Sequence, residues 1–165
     1  VIRYADVLRT VLQQYGPVEV LIGHSVGGAS CIWAMGALEP AQRPHRAVIL
    51  ASFASLQYIM DNARRLIGAS DTLMAAMDDL IFARFGRRIA QYDLTEVAKG
   101  LVGVDALLVH DRNDRVTHFR ESEKLHAAWS GSQFWATEGY GHGLTAPPVV
   151  ETVLEFAQQT APAPS

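Results

Sequence analysis

Short apolar runs alternate with longer amphipathic stretches along most of the chain. The runs have the length and the continuous apolar character of buried strands. They predict four strands, at 18–22, 47–51, 106–110 and 133–137. Apolar residues at helical spacing predict helices at 1–15, at 26–38 and at about 118–129 and 147–159. Because strands separated by helices pair in parallel through right-handed crossovers, the pattern predicts an α/β fold, a three-layer sandwich around a mostly parallel sheet.

The segment between the second and third predicted strands is too long for a single crossover helix. It contains two or three helical patterns, with Ser70 or Asp71 as the N-terminal cap of one of them. We therefore predict a small helical cap, inserted at about 53–100 into one domain that spans 1–165. The last residues, 160–165, have nothing to bury and are predicted to form a disordered tail.

Composition and charge favour one folded domain with a small-molecule partner. Of the 165 residues, 49% are hydrophobic, which is enough for a sizeable core. The net charge of -3 comes from scattered charges, so neither nucleic acid nor a membrane surface is an expected partner. No apolar run approaches the roughly 20 residues of a membrane-spanning helix, and no leader pattern opens the chain, so we expect a cytoplasmic location. The single cysteine, Cys31, excludes an internal disulfide.

The first candidate for chemistry is a serine between two glycines, in Gly23-His24-Ser25-Val26-Gly27. This pattern suits a sharp strand-to-helix turn, whose apex residue adopts a positive φ and exposes its hydroxyl. Gly23 and Gly27 lack the β-carbon that would collide where strand and helix pass closely. The backbone N–H of Val26, at the positive end of the helix, is the predicted oxyanion-hole donor. By itself the motif fits a glycine-rich turn without chemistry equally well.

Two further reactive side chains follow predicted strands. Asp114 comes after the third strand and His142 after the fourth. Because the carboxyl ends of parallel strands meet at one edge of a sheet, we expect both side chains to converge with Ser25. A serine hydroxyl needs an imidazole to accept its proton, and the imidazole needs a carboxylate to fix its tautomer and stabilise its cation. The chain supplies these groups in the order Ser, Asp, His.

Other interpretations of these residues remain open at the level of sequence. Asp111 lies closer to the strand end than Asp114 and is the rival acid, although its side chain could instead stabilise the turn. His142, between Gly141 and Gly143, could be an ordinary loop histidine.

The remaining central histidines are interpreted without a catalytic role. His24 is expected to point away from Ser25, and His110 to be a hydrogen-bonded core residue. His118 and His126 have no carboxylate or cysteine partner at a familiar metal spacing, so no metal site is predicted.

The serine motif, the turn at 107–117 and the final Gly-His-Gly closely resemble the α/β-hydrolase superfamily. The resemblance covers nearly the whole chain as the carboxy-terminal part of that fold, with the amino-terminal strands missing. It implies that Ser25 is the nucleophile, Asp114 the acid and His142 the base.

The same resemblance implies two missing features. The loop that normally supplies a second oxyanion-hole N–H has no counterpart in this sequence, so only the Val26 donor is assigned. Strand 18–22 would also lose its usual neighbour and present an unpaired edge. We expect this edge to be covered by a homo-oligomer, by a missing amino-terminal segment or by rearrangement of the first helix.

The favoured function is a serine hydrolase that cleaves a small-molecule carboxylic ester or thioester through an acyl-enzyme, without a metal or an organic cofactor. Acyl transfer, perhydrolysis or peptide cleavage on the same scaffold is an alternative, because pocket shape and water access decide among them. The rival hypothesis is a non-catalytic fragment or pseudoenzyme that acts as a binding module.

Overall fold

The computed structural model describes residues 1–159, and the predicted tail at 160–165 lies outside them. The strands are β1 (Val20–His24), β2 (Arg46–Leu50), β3 (Asp105–Asp111) and β4 (Ser132–Thr137). The helices are α1 (Ile2–Tyr15), α2 (Val26–Gly36), α3 (Leu56–Ile67), α4 (Asp71–Phe85), α5 (Leu94–Lys99), α6 (Arg120–Ala128) and α7 (Pro147–Gln158). Within the described part of the chain, no helix combines the length and the apolarity needed to cross a membrane.

The four strands form one parallel sheet in the order β1-β2-β3-β4. Their register aligns the carboxyl ends. His24 on β1 lies opposite Leu50 on β2, Leu50 opposite Val109 on β3, and Val109 opposite Trp135 on β4. The predicted α/β class and the parallel sheet are confirmed, and the loops after β1, β3 and β4 begin at the same edge.

Alternate residues of the central strands pack into two separate hydrophobic cores, one on each face of the sheet. Ile49 and Leu108 are fully buried on one face, where they pack with residues of α2, α5 and α6. Val48 and Val109 are fully buried on the other face, against α7. Each such side chain contributes about 1.5–3 kcal/mol by leaving water. This two-sided burial explains the continuous apolar runs in the sequence.

The first strand differs from its predicted range, 18–22, because it runs two residues further toward Ser25. Pairing with β2 continues to His24, and the N–H of Ser25 donates to Leu50 O at 2.8 Å. The apolar run does not mark the ends of the strand, because the hydrogen bonds to β2 decide where it ends. Ser25 therefore follows the sheet directly.

Three helices occupy the predicted insertion at about 53–100. The hydroxyls of Ser55 and Ser70 cap the first turns of α3 and α4. The short helix α5 packs against α2 and α6, and so belongs to the helical layer on one face of the sheet. In α3, the Tyr58 hydroxyl accepts a hydrogen bond from the N–H of His118 at 2.7 Å. This bond ties the insertion to the loop after β3.

β1 forms an edge of the sheet, and within residues 1–159 no strand pairs with its outer side. Ile22 on this edge is half exposed. Helix α1 packs against α2, and its Tyr4 and Leu8 form one wall of a groove of about 690 Å³ along β1. The first helix therefore lines the edge without pairing with it, and the expected cover from a second copy or an amino-terminal segment stays a prediction.

Close contact between β1 and α2 depends on glycine at two positions. A β-carbon on Gly23 would lie 2.7 Å from the Cα of Gly28 and 2.7 Å from Cys31 Sγ. A β-carbon on Gly28 would lie 3.0 Å from Ser52 Oγ. The corresponding position on Gly27 has nothing within 4 Å. The prediction that Gly27 permits the close passage is therefore wrong, because Gly28 approaches the strand and Gly27 faces open space.

We expect Gly23→Ala to lower the free energy of unfolding by about 1–3 kcal/mol, because the new methyl group would force β1 away from α2. Gly27→Ala is the matched control. It should be neutral or stabilising by up to about 1 kcal/mol, since alanine is favoured over glycine in a helix. Urea unfolding at neutral pH measures both values. Equal stability of the two variants would contradict the assigned packing.

Candidate active site

Ser25 occupies a strained backbone position between β1 and α2. Its φ is 54° and its ψ is -120°, so the positive φ predicted for the apex is confirmed. Its N–H donates to Leu50 O, while its carbonyl oxygen accepts from Ser52 Oγ at 3.0 Å and from the N–H of Ala29 at 3.2 Å. These bonds hold the residue on both sides of its α-carbon. A non-glycine residue is kept in this conformation only when its surroundings fix it.

Two other non-glycine residues with positive φ lie near the same edge. Ala51 follows β2 with a φ of 46°, and Leu144 follows the His142 loop with a φ of 49°. Such residues are uncommon, and they concentrate at functional sites. Their positions support the carboxyl edge of the sheet as the functional end.

His142 and Asp114 form a direct hydrogen bond, with 2.8 Å between His142 Nδ1 and Asp114 Oδ2. The Asp114 side chain is completely buried, whereas that of His142 keeps 21% of its exposure. A carboxylate oxygen only accepts hydrogen bonds, so Nδ1 carries the proton and Nε2 of the neutral imidazole keeps its lone pair. This is the tautomer in which His142 can accept a proton at Nε2.

The buried Asp114 carboxylate is surrounded by donors. Oδ1 accepts from the N–H groups of Val116 at 2.7 Å and Thr117 at 3.0 Å. Oδ2 accepts from His142 and lies 3.1 Å from His110 Nε2. Burial acts to raise the pKa of Asp114, but the bonds from His142 and the two N–H groups outweigh it, and the pKa lies below its ordinary value. Asp114 is therefore ionised at neutral pH.

Ser25 and His142, the predicted nucleophile and base, are not hydrogen-bonded to each other. Within residues 1–159 the Ser25 hydroxyl makes no hydrogen bond. His142 is nevertheless fixed beside the serine turn, because His24 Nε2–H donates to His142 O at 2.7 Å and the two rings lie 4.8 Å apart. Catalytic hydrogen bonds are often long before substrate binds. The structure thus brings together Asp114, His142 and the residue next to Ser25.

Asp111, the rival acid, has a different set of partners. Its carboxylate is completely buried and accepts from the N–H of Asn113 at 2.9 Å, the Thr137 hydroxyl at 3.0 Å and the N–H of Tyr140 at 2.8 Å. None of these partners is His142. Asp111 therefore stabilises its own turn, which was the alternative to its being the acid. It also holds the loop that carries His142. The second role was missed because it depends on the pairing of Asp111 with Thr137 across β3 and β4, which the sequence does not show.

Val26 and the remaining histidines complete the site. Val26 is the first residue of α2, so its N–H belongs to the first turn, which has no acceptor within the helix. Its role as oxyanion-hole donor stays a prediction. His118 is exposed, and His126 Nδ1 lies 2.8 Å from Ser132 Oγ. Among the described residues, no group of three or more His, Cys, Asp or Glu side chains is arranged to hold a metal ion.

Known structures match this chain in fold, whereas the comparisons by sequence give no match. No protein-family model matches the chain, and no curated protein matches it in sequence. An esterase from Exiguobacterium antarcticum superposes with a TM-score of 0.66 at 17% identity, over 94% of this chain and 72% of its own. An α/β-hydrolase enzyme from a lagoon-sediment metagenome superposes with a TM-score of 0.60 at 16% identity, over 93% of this chain and 65% of its own.

A third similar structure carries a different name. A putative non-heme bromoperoxidase from Mycobacterium tuberculosis superposes with a TM-score of 0.65 at 13% identity, over 95% of this chain and 74% of its own. The chain therefore has the α/β-hydrolase fold, and it spans about two thirds to three quarters of the length of these proteins. The different names show that this fold does not set the reaction by itself.

We expect Asp111 to make folding stability depend on pH in the acid range. Burial acts to raise its pKa, but bonds from Tyr140, Asn113 and Thr137 outweigh it and lower the pKa. A lowered folded-state pKa gives stability that is complete above the unfolded-state value of about 4 and is lost as the pH falls through the folded-state value.

Asp111→Asn should therefore lose less stability than wild type between about pH 5 and pH 2, while being less stable by about 1–3 kcal/mol at neutral pH. The loss at neutral pH arises because the amide NH₂ cannot accept from the N–H groups that now face the carboxylate. Urea unfolding over a pH series measures both effects. Asp105→Asn, at an exposed carboxylate on the same strand, controls for the loss of one charge. Parallel acid profiles for wild type and Asp111→Asn would contradict the assignment.

Proposed function

We propose that this chain is a serine hydrolase that cleaves a small-molecule carboxylic ester or thioester through an acyl-enzyme on Ser25. The observation that carries the proposal is the 2.8 Å bond between His142 Nδ1 and the buried, ionised Asp114, beside a strained serine turn. Solved proteins of the same fold that are named esterases support it. No metal or organic cofactor takes part in the proposed reaction.

In the proposed reaction, Ser25 Oγ attacks the carbonyl carbon of the ester while His142 Nε2 accepts the hydroxyl proton. Asp114 stabilises the resulting imidazolium. The tetrahedral intermediate then collapses, the bond to the alcohol or thiol breaks, and the leaving group takes the proton from His142. A water molecule attacks the acyl-enzyme with His142 again as the base, which releases the acid and restores Ser25.

The oxyanion of the tetrahedral intermediate is stabilised in this proposal by the N–H of Val26, which lies next to Ser25 in the first turn of α2. One such donor is typically worth a hundredfold to a thousandfold in turnover. The rate therefore depends strongly on how many N–H groups reach that oxygen.

A non-catalytic binding module is the second candidate. The observation that favours it is the lack of a hydrogen bond from the Ser25 hydroxyl within residues 1–159. A serine that never reaches His142 Nε2 would not be activated. Acyl transfer and perhydrolysis require the same activated serine, so they differ from hydrolysis only in what accepts the acyl group.

We expect a fluorophosphonate probe to label Ser25, because the probe reacts with serines activated by a neighbouring base. Labelling should disappear in Ser25→Ala and fall steeply in His142→Ala. In Asp114→Asn, hydrolysis of p-nitrophenyl acetate should fall by about 10⁴-fold, because the amide no longer fixes the imidazole tautomer. His126→Ala, at a histidine outside the site, should label like wild type. Equal labelling of wild type and Ser25→Ala would remove the catalytic proposal in favour of the binding module.

A further inference from the structure

A second imidazole lies against the carboxylate of the proposed acid. His110, at the end of β3, is completely buried, and its Nε2 lies 3.1 Å from Asp114 Oδ2. The same Nε2 is 3.1 Å from the carbonyl oxygen of Thr117, and Nδ1 is 2.6 Å from Ser122 Oγ. Asp114 Oδ2 thus lies between His110 and His142, at 3.1 Å from one ring and 2.8 Å from the other.

The partners of His110 determine its tautomer. Nε2 faces the Thr117 carbonyl and the Asp114 carboxylate, both at 3.1 Å, and these groups only accept, whereas the Thr117 hydroxyl lies further away at 3.5 Å, so Nε2 carries the proton. Nδ1 then accepts from the Ser122 hydroxyl. Burial lowers the pKa of His110, which keeps the ring neutral at neutral pH. His110 Nε2–H therefore bonds the Thr117 carbonyl and also lies within reach of Asp114 Oδ2, while the lone pair of Nδ1 is occupied by Ser122.

We propose that His110 is a positioning residue for the reaction, which donates from Nε2–H to Asp114 Oδ2. This bond fixes that oxygen against His142 and stabilises the negative charge of the carboxylate. The inference rests on the proposed function of Ser25, Asp114 and His142. It assigns to His110 a role beyond that of a hydrogen-bonded core residue.

Two consequences follow from a carboxylate oxygen that accepts from both rings. The carboxylate has less freedom to rotate away from His142, which keeps the imidazole aligned. The bond from His110 also stabilises the ionised form of the carboxylate. Loss of His110 should therefore slow turnover.

A purely structural His110 would act differently. Its ring packs edge-on against Phe119 with 5.9 Å between centroids, so losing it would lower stability without lowering the kcat of the folded protein. The change in kcat relative to KM, and the rescue of kcat by a side chain that can still donate, separate the two roles.

Substitutions of His110 test whether its Nε2–H group contributes to turnover. In His110→Leu, kcat for p-nitrophenyl acetate should fall about tenfold or more with KM within about threefold, because a hydrogen bond to a charged group is lost. His110→Gln, whose amide can still donate toward Asp114, should recover most of the activity. His126→Leu is the matched control, because His126 Nδ1 also bonds a serine hydroxyl, at 2.8 Å, but lies outside the site.

Nuclear magnetic resonance tests the inference without turnover. In wild type, the ¹⁵N shifts of His110 at neutral pH should show the Nε2–H tautomer of a neutral ring, because burial lowers the pKa of His110. If esters are not cleaved but this tautomer is found, the proposed function fails while the donor on His110 Nε2 stands.

Three results would overturn the inference. The first is an Nδ1–H tautomer for His110 in wild type, which needs no variant and so does not depend on how His110→Leu folds. The second is a folded His110→Leu with the wild-type kcat. The third is a His110→Gln that loses as much activity as His110→Leu.

Discussion

The site is built around one buried negative charge, the Asp114 carboxylate. Removing a carboxylate from water costs several kcal/mol unless hydrogen bonds replace the lost hydration. Here the replacements come from two N–H groups of its own turn, from the Thr117 hydroxyl and from the imidazole of His142, and His110 Nε2 lies 3.1 Å from the same carboxylate. Satisfying this charge requires the end of β3 and the loops after β3 and β4 to be in place together. The geometry of the proposed base is therefore a consequence of burying an acid.

A second buried carboxylate, three residues earlier in the chain, has a different structural role. Asp111 accepts from the N–H of Tyr140 and from Thr137, so it fastens the loop that brings His142 to Asp114. The other attachment of that loop is the bond from His24 on β1 to His142 O. The loop is thus held to β3 and β1 as well as to β4, all of which belong to one parallel sheet. Loops fixed in this way can place side chains for chemistry while remaining irregular in conformation.

Much of the fold could be predicted from the sequence, because burial on both faces makes strands visible as continuous apolar runs. The four strands and their parallel pairing follow from that pattern. Features that depend on close packing or register could not be read in this way. The sequence does not distinguish Gly27 from Gly28, although a β-carbon on Gly28 would crowd Ser52 and one on Gly27 would have nothing within 4 Å. It also hides the contact between His110 and Asp114, because the turn between them reverses direction and brings a strand residue back against a loop residue.

The site lacks a hydrogen bond between the Ser25 hydroxyl and His142, and the Ser25 side chain is also its least constrained part. The His142 ring is fixed at Nδ1 by Asp114, and the backbone of His142 is fixed by His24. The backbone of Ser25 is fixed by bonds from its N–H to Leu50 O and from Ser52 Oγ to its carbonyl. What remains free is the single side-chain torsion of Ser25, which changes within about nanoseconds, far faster than a typical turnover of about 10 s⁻¹. In the proposed reaction, the strained parts of the arrangement are therefore present before substrate binds, and only the hydroxyl that attacks still has to move.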